Sequence, residues 1–146
     1  MAADLQTLTD RLDIIDVLHR YMYAVDRRDW ELLGTCFTED ATVDFSGAGG
    51  PNAGAAELVA WLADTMGLFA MTQHTVSNVL IEVSGDEATG QAYFSNPMTI
   101  AHDGGPNDLL FSGGAYDDRF RRTPQGWRIA ARRAQLTFIE GPFRRA

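Results

Sequence analysis

Apolar positions along the chain change period about halfway. In the first third, Ile14, Leu18, Tyr21 and Val25 recur at spacings of four, three and four, which is one stripe of an amphipathic helix. Ile15 and Met22 widen the stripe, and Asp16, Arg20, Tyr23 and Arg27 fall mostly on the other side. Thr7 or Thr9 can cap this helix, with Asp10 and Asp13 near the positive end of its dipole. A short second helix is expected from Trp30, capped by Asp29 and ending between Gly34 and Phe37. Ala41 to Phe45 alternates like a short strand. Ser46 to Gly54 is a glycine-rich loop or hairpin without the Gly-Lys-Ser/Thr ending of a phosphate loop. Ala55 to Leu68 is helical again, with Leu58, Trp61, Leu62 and Thr65 on one side.

From Met71 the period is two. Met71–Val83, Ala88–Ala101, Leu109–Arg122 and Trp127–Phe138 read as long strands. They are separated by a Gly85-Asp86 turn, a loop at Asp103–Asn107 and a tight turn at Thr123–Gly126, and residues 141–145 read as a tail. Helices first and antiparallel strands afterwards predict an α+β fold, a curved sheet wrapped around the N-terminal helices as a cone. The open end of such a cone is a natural small-molecule pocket. No repeat or linker divides the chain, so one domain over 1–146 is expected, with its core at about 5–140. The second sheet face also needs cover, which predicts a homodimer or higher homo-oligomer.

Composition narrows the partners. The chain has 146 residues, 45% of them hydrophobic, enough for a core of its own. Twelve Lys and Arg against twenty Asp and Glu give a net charge of −8, which argues against nucleic acid or an anionic membrane as partner. The single Cys36 excludes an internal disulfide and a multi-cysteine zinc site, and reads as packing. The first residues lack the basic and apolar regions of a signal peptide, and no apolar run approaches membrane-spanning length. A cytoplasmic location is therefore expected.

The candidate chemistry begins with Asp26, a carboxylate beside Met22 at the edge of the apolar stripe. His74 lies early in the first long strand, with Val76, Asn78 and Leu80 on its face and Thr75, Ser77, Val79 and Ile81 on the other. A lone buried histidine is ordinarily a hydrogen-bonded core residue. An imidazole whose Nδ1–H is held by a carboxylate instead presents Nε2 as an oriented base. Arg132 and Arg133 are neighbours on the last strand, so one should point into the cone and the other away. A buried arginine there would stabilise a leaving anion or an enolate oxygen; its ordinary reading is a salt bridge. Tyr21, Tyr93 and Tyr116 put phenols on apolar faces, where core packing is the ordinary role. His19 and His102 read as surface or packing residues, and no His-x-His or His-x-x-x-His spacing supports a metal.

Four stretches, Tyr21-x4-Asp26, Trp30-Glu31, Gln73-His74-Thr75 and Gly126-Trp127-Arg128-Ile129, together resemble the SnoaL-like proteins of the nuclear-transport-factor-2-like superfamily. The resemblance extends over about residues 5–140 and implies the α+β cone. Its nearest pattern is the scytalone dehydratase, bile-acid dehydratase and hexachlorocyclohexane dehydrochlorinase group, which uses an Asp–His dyad and no cofactor. Asp26 and His74 match the dyad, Tyr21 a position near the leaving group, and Arg132 the dehydrochlorinase arginine that assists halide loss. There are departures: Phe45 stands where a second dehydratase tyrosine is expected, and Leu136 where the bile-acid enzymes carry an arginine. The resemblance implies a lyase of dehydratase type acting on a hydrophobic, cyclic small molecule. An isomerase or polyketide-type cyclase would use the same base, and a non-catalytic binding or assembly module the same cone. Phe45, Trp61, Met66, Phe69, Asn78, Tyr93, Phe111 and Tyr116 are the expected substrate-binding residues, with Val25 as a further apolar wall.

Overall fold

A computed structural model describes residues 4–142. Helix α1 (Leu5–Arg27) starts earlier than the threonines suggest, because the Asp4 carboxylate accepts the Thr7 N–H at 2.7 Å and caps it. It stops one residue after Asp26, at Arg27, and the next residue, Arg28, takes the left-handed conformation with φ 59° while its N–H returns to the carbonyls of Ala24 and Val25. Asp29 caps α2 (Trp30–Thr35) as expected. Strand β1 (Phe37–Gly47) is longer than its alternating centre predicts, since it begins directly after α2 and pairs in parallel with the last strand. The glycine-rich stretch is a hairpin: β2 (Asn52–Gly54) folds back on β1 before α3 (Ala55–Met66). At its tip the Gly50 backbone lies against Phe45 and Trp61, where an added Cβ would come within 2.8 Å of the Phe45 side chain.

The expected first long strand is two pieces, β3 (Met71–Thr72) and β4 (Thr75–Ser84), both paired with β5 (Glu87–Ile100). His74 sits in the break between them. β6 (Asp108–Thr123) and β7 (Gly126–Glu140) complete a seven-stranded sheet of order β2-β1-β7-β6-β5-β3, with β4 also on β5. All pairings are antiparallel except β1 with β7, and the sheet is curved and unclosed around the helices. On β4 the expected face assignment fails at Asn78, where φ is 52° and the register with β5 shifts between Ser77 and Leu80. The bulge inverts the alternation: Val76 packs inward before it, and Val79, Ile81 and Val83 after it.

The core is the α1 stripe (Ile14, Val17, Leu18, Tyr21, Met22, Val25) pressed into the concave sheet, with Leu58 of α3 and Leu33 of α2 closing one side. Cys36 belongs to this core, and burial pushes its thiol up to about 11, away from reactivity. A polar anchor fixes the helix on the sheet. Asp10, 2% exposed, receives both Nη atoms of Arg122 at 2.8 Å and the Trp127 indole N–H at 3.0 Å. Further along, Arg132 and Asp118 face each other across β6 and β7 inside the core. Among the described residues, no helix is long and apolar enough to cross a membrane.

Candidate active site

Asp26 belongs to the last turn of α1, on the flank that meets the broken edge of the sheet. Its Oδ1 lies 2.7 Å from His74 Nδ1, and its Oδ2 accepts the His74 backbone N–H at 2.8 Å. The Thr72 hydroxyl donates to Oδ1 at 3.0 Å. A carboxylate can only accept, so Nδ1 carries the hydrogen and Nε2 of the neutral ring is left as the free base. The histidine side chain is 9% exposed and the aspartate 18%, so the pair is withdrawn from bulk water without being sealed from it.

His74 forms part of the wall of a cavity of about 210 Å³ between α1, α3 and the concave face of the sheet. Most of the wall is apolar, including Val25, Phe45, Trp61, Met66 and Phe69. Its polar contributions come from Tyr21, Thr65, Asn96, Ser112 and Tyr116 beside the imidazole. Asn96 and Ser112 are directly opposed on β5 and β6, and both are buried. The Asn96 Oδ1 is engaged by the Gln73 N–H at 3.2 Å, which leaves its amide hydrogens for something else. Burial raises the Tyr21 phenol and pushes that of Tyr116 well above its ordinary value, so both stay neutral hydrogen-bond donors.

The expected residues divide cleanly by position. Asp26 and His74 meet, and Tyr21, Phe45, Trp61, Met66, Phe69 and Tyr116 line the cavity with His74. Asn78, Tyr93 and Phe111 do not. Asn78 is turned to the exposed side by its own bulge. On β5 the inward set is Ala92, Phe94, Asn96 and Met98, so Tyr93 is 58% exposed. On β6 the inward neighbours of Phe111 are Leu110 and Ser112, and Phe111 packs against Phe138 with ring centroids 5.3 Å apart. Phe94, Asn96, Met98, Leu110 and Ser112 are among the wall residues that sequence reasoning missed, and strand parity was the signal for these five. Leu136, where the resemblance places an arginine in the bile-acid enzymes, is a wall residue too.

Of the two neighbouring arginines, Arg132 points inward and Arg133 outward, the latter to Asp117 at 3.3 Å. Arg132 stops short of the cavity, however. Its Nε and Nη2 donate to the two oxygens of Asp118 at 2.8 and 2.7 Å, and its guanidinium lies against two aromatic faces. The distances are 4.4 Å to the Tyr21 ring centre and 3.8 Å to that of Tyr116. Its Nη1 is buried and has no hydrogen-bond partner among the described residues. Burial raises the Asp118 carboxyl, and the arginine opposes that rise. Arg132 is thus a buried cation behind two cavity tyrosines. His19 and Cys36 are not part of the wall, and the exposed His102 contacts Asp108 across its own loop. Among the described residues, no three His, Cys, Asp or Glu side chains converge as a metal site.

Helices enclosed by an unclosed, curved sheet, with one pocket wall carrying an aspartate-held histidine, describe a nuclear-transport-factor-2-like cone. Within that class the chain belongs to the SnoaL-like domain family, whose model matches residues 6–133. It is similar to an uncharacterized protein of Mycobacterium tuberculosis, 38% identical over 125 residues that cover 86% of this chain and 84% of the relative. Among solved structures it resembles the hexachlorocyclohexane dehydrochlorinase LinA-type3 from Novosphingobium barchaimii at 18% identity and a TM-score of 0.81, covering 97% of this chain and 95% of that one. It also resembles a scytalone dehydratase-like protein from Novosphingobium aromaticivorans, at 24% identity and a TM-score of 0.79, with 96% and 92% covered. At these identities the two structures share the fold.

Proposed function

We propose that the protein is a cofactor-independent lyase that removes a proton from carbon and expels water or another small leaving group from a hydrophobic, cyclic molecule. One observation carries this reading: the 2.7 Å contact between Asp26 Oδ1 and His74 Nδ1, with the ring forming part of an apolar cavity wall. His74 Nε2 takes the proton, and Asp26 holds the ring and stabilises the imidazolium that forms. A cavity of about 210 Å³ suits a compound of one or two rings. The free Asn96 amide and the Ser112 hydroxyl suit a carbonyl or hydroxyl oxygen, whose carbon neighbour such an anchor would acidify. Tyr21 and Tyr116, kept neutral by burial, donate to the departing oxygen.

The position of Arg132 favours a second reading. With its cation behind the tyrosine rings, charge on a leaving group is met by phenols alone, which suits an isomerase or cyclase that releases no anion. The test is a panel of one- and two-ring hydroxyketones incubated with the wild type and His74→Ala, followed by mass spectrometry. Elimination gives a product lighter by the leaving group, and isomerisation one of equal mass. General-base catalysis predicts that His74→Ala slows turnover about 10²–10⁴-fold in a folded protein. Undiminished turnover by that variant would overturn His74 as the base, and binding without turnover by the wild type would replace both readings with a binding module.

A further inference from the structure

The dyad is held by a third and a fourth residue that neither the sequence pattern nor the cavity wall singles out. Thr72, 7% exposed, is the last residue of β3, and its hydroxyl is the second donor to Asp26 Oδ1. A hydroxyl has one hydrogen, so it can serve Asp26 only if its other contacts are to donors. Arg28 supplies that condition: its Nη1 reaches Thr72 Oγ1 at 2.7 Å, and a guanidinium can only donate. Arg28 is itself fixed by three carbonyls, those of Val25 and Asp26 at 3.1 Å from Nη1 and that of Met66 at 3.1 Å from Nη2. It thereby ties the end of α1 to the end of α3 and to β3. Its left-handed backbone places the side chain back over the helix end it terminates.

We propose that Thr72 is a positioning residue for the base, polarised by Arg28, so that the order of donation runs Arg28 to Thr72 to Asp26. The consequence is electrostatic as well as geometric. The carboxylate receives hydrogens from Thr72 and from His74 Nδ1 on Oδ1 and from the His74 backbone on Oδ2. That arrangement keeps the Asp26 carboxylate rotated to face Nδ1, which selects the tautomer with Nε2 bare. Without the hydroxyl, Oδ1 keeps only the imidazole, and the Arg28 Nη1 loses a 2.7 Å acceptor two bonds from the base.

This inference rests on the proposed dyad, and its test separates the two. The chain has three histidines, so ¹H–¹⁵N correlation spectra of the imidazole rings can be assigned without any substrate. The wild type and Thr72→Ser should show His74 with its hydrogen on Nδ1, and Thr72→Val a mixture with the Nε2–H tautomer. Thr72→Ala gives the same comparison if the valine variant does not fold. Asp26→Asn is the control on the dyad and should lose the Nδ1–H form. An unchanged His74 in Asp26→Asn overturns the dyad together with this inference. A change there, with Thr72→Val indistinguishable from wild type, overturns the role of Thr72 alone. With a turned-over hydroxyketone in hand, Thr72→Val should lose about 10- to 100-fold in kcat with KM nearly unchanged, and Thr72→Ser should recover most of it.

Discussion

Arg132→Met should be among the most destabilising single substitutions in the chain, for a reason that can be worked through. The guanidinium is wholly buried, makes two short hydrogen bonds to an equally buried Asp118, and touches the faces of Tyr21 and Tyr116. Methionine fills much of the volume but leaves the carboxyl alone in the core. Removing one partner of such a pair costs about 3–5 kcal/mol, since the uncompensated charge dominates. That is a large share of the roughly 5–15 kcal/mol that holds an average domain together. With a urea dependence of about 2 kcal/mol/M, the unfolding midpoint should fall by about 2 M. The loss should depend on pH in a defined direction. Burial raises Asp118, and the arginine is the group that opposes the rise, so in the variant the folded-state value lies further above the unfolded one. A group with a raised folded-state pKa contributes fully below its unfolded value and less as pH rises through the folded one. Arg132→Met should therefore be closest to wild type near pH 4 and fall away toward pH 8. Arg132→Met combined with Asp118→Leu should regain most of the stability and lose that slope, as apolar replacements of buried pairs do. Urea titrations followed by circular dichroism at several pH values measure all of this. A single-variant loss under about 1 kcal/mol, or one flat in pH, would refute the argument.

Two other outcomes follow from the same packing. Arg122, ahead of the smaller contributions of Trp127 and Gln6, holds the Asp10 carboxyl far below its ordinary value. Stability from a lowered carboxylate is present above about pH 4 and is lost as pH falls toward the folded-state value. Asp10→Asn should melt lower than wild type at pH 7, and the gap should narrow in melting curves taken from pH 4 downward. Leu58→Ala, at a fully buried position where α3 meets the core, should cost about 2–5 kcal/mol in chemical unfolding, and a smaller loss would mean that α3 closes over the cavity by collapse.

How much of this was legible in the sequence depended on how local the determining interaction is. The α1 stripe is set by side chains three and four residues apart, so the helix and the flank position of Asp26 could be read directly. The inward parity of a strand is equally local until a bulge intervenes, and all three errors on the wall come from parity. On β5 and β6 an aromatic residue stands beside the inward position, and choosing Tyr93 over Phe94 or Phe111 over Leu110 misplaces the residue by one step, which is one whole face. Asn78 is the third case, where a left-handed residue inserts the bulge itself. Alternation required that one of Arg132 and Arg133 turn inward without saying which, and the partner Asp118 comes from the register of β6 with β7, which no spacing in the sequence specifies.

The break that frees His74 did leave a signal, in Pro97. The Pro97 carbonyl accepts the Gln73 N–H at 3.1 Å, so its nitrogen faces the same edge and has no hydrogen to give. The ladder between β5 and its edge strand lacks one hydrogen bond there, and regular pairing resumes at Thr75 opposite Ser95. Within the gap the His74 N–H has no strand partner and turns to Asp26 Oδ2. On the opposing side, α1 ends just past Asp26, and Arg28 takes up carbonyls at that end. The site therefore forms where regular structure stops on both elements at once: a helix end offers a carboxylate, and a proline-opened strand offers an N–H and an imidazole that need one. An Asp26 carboxylate at the apolar edge of a helix, odd in isolation, is the group that satisfies that break, and orienting the base follows from the same two oxygens.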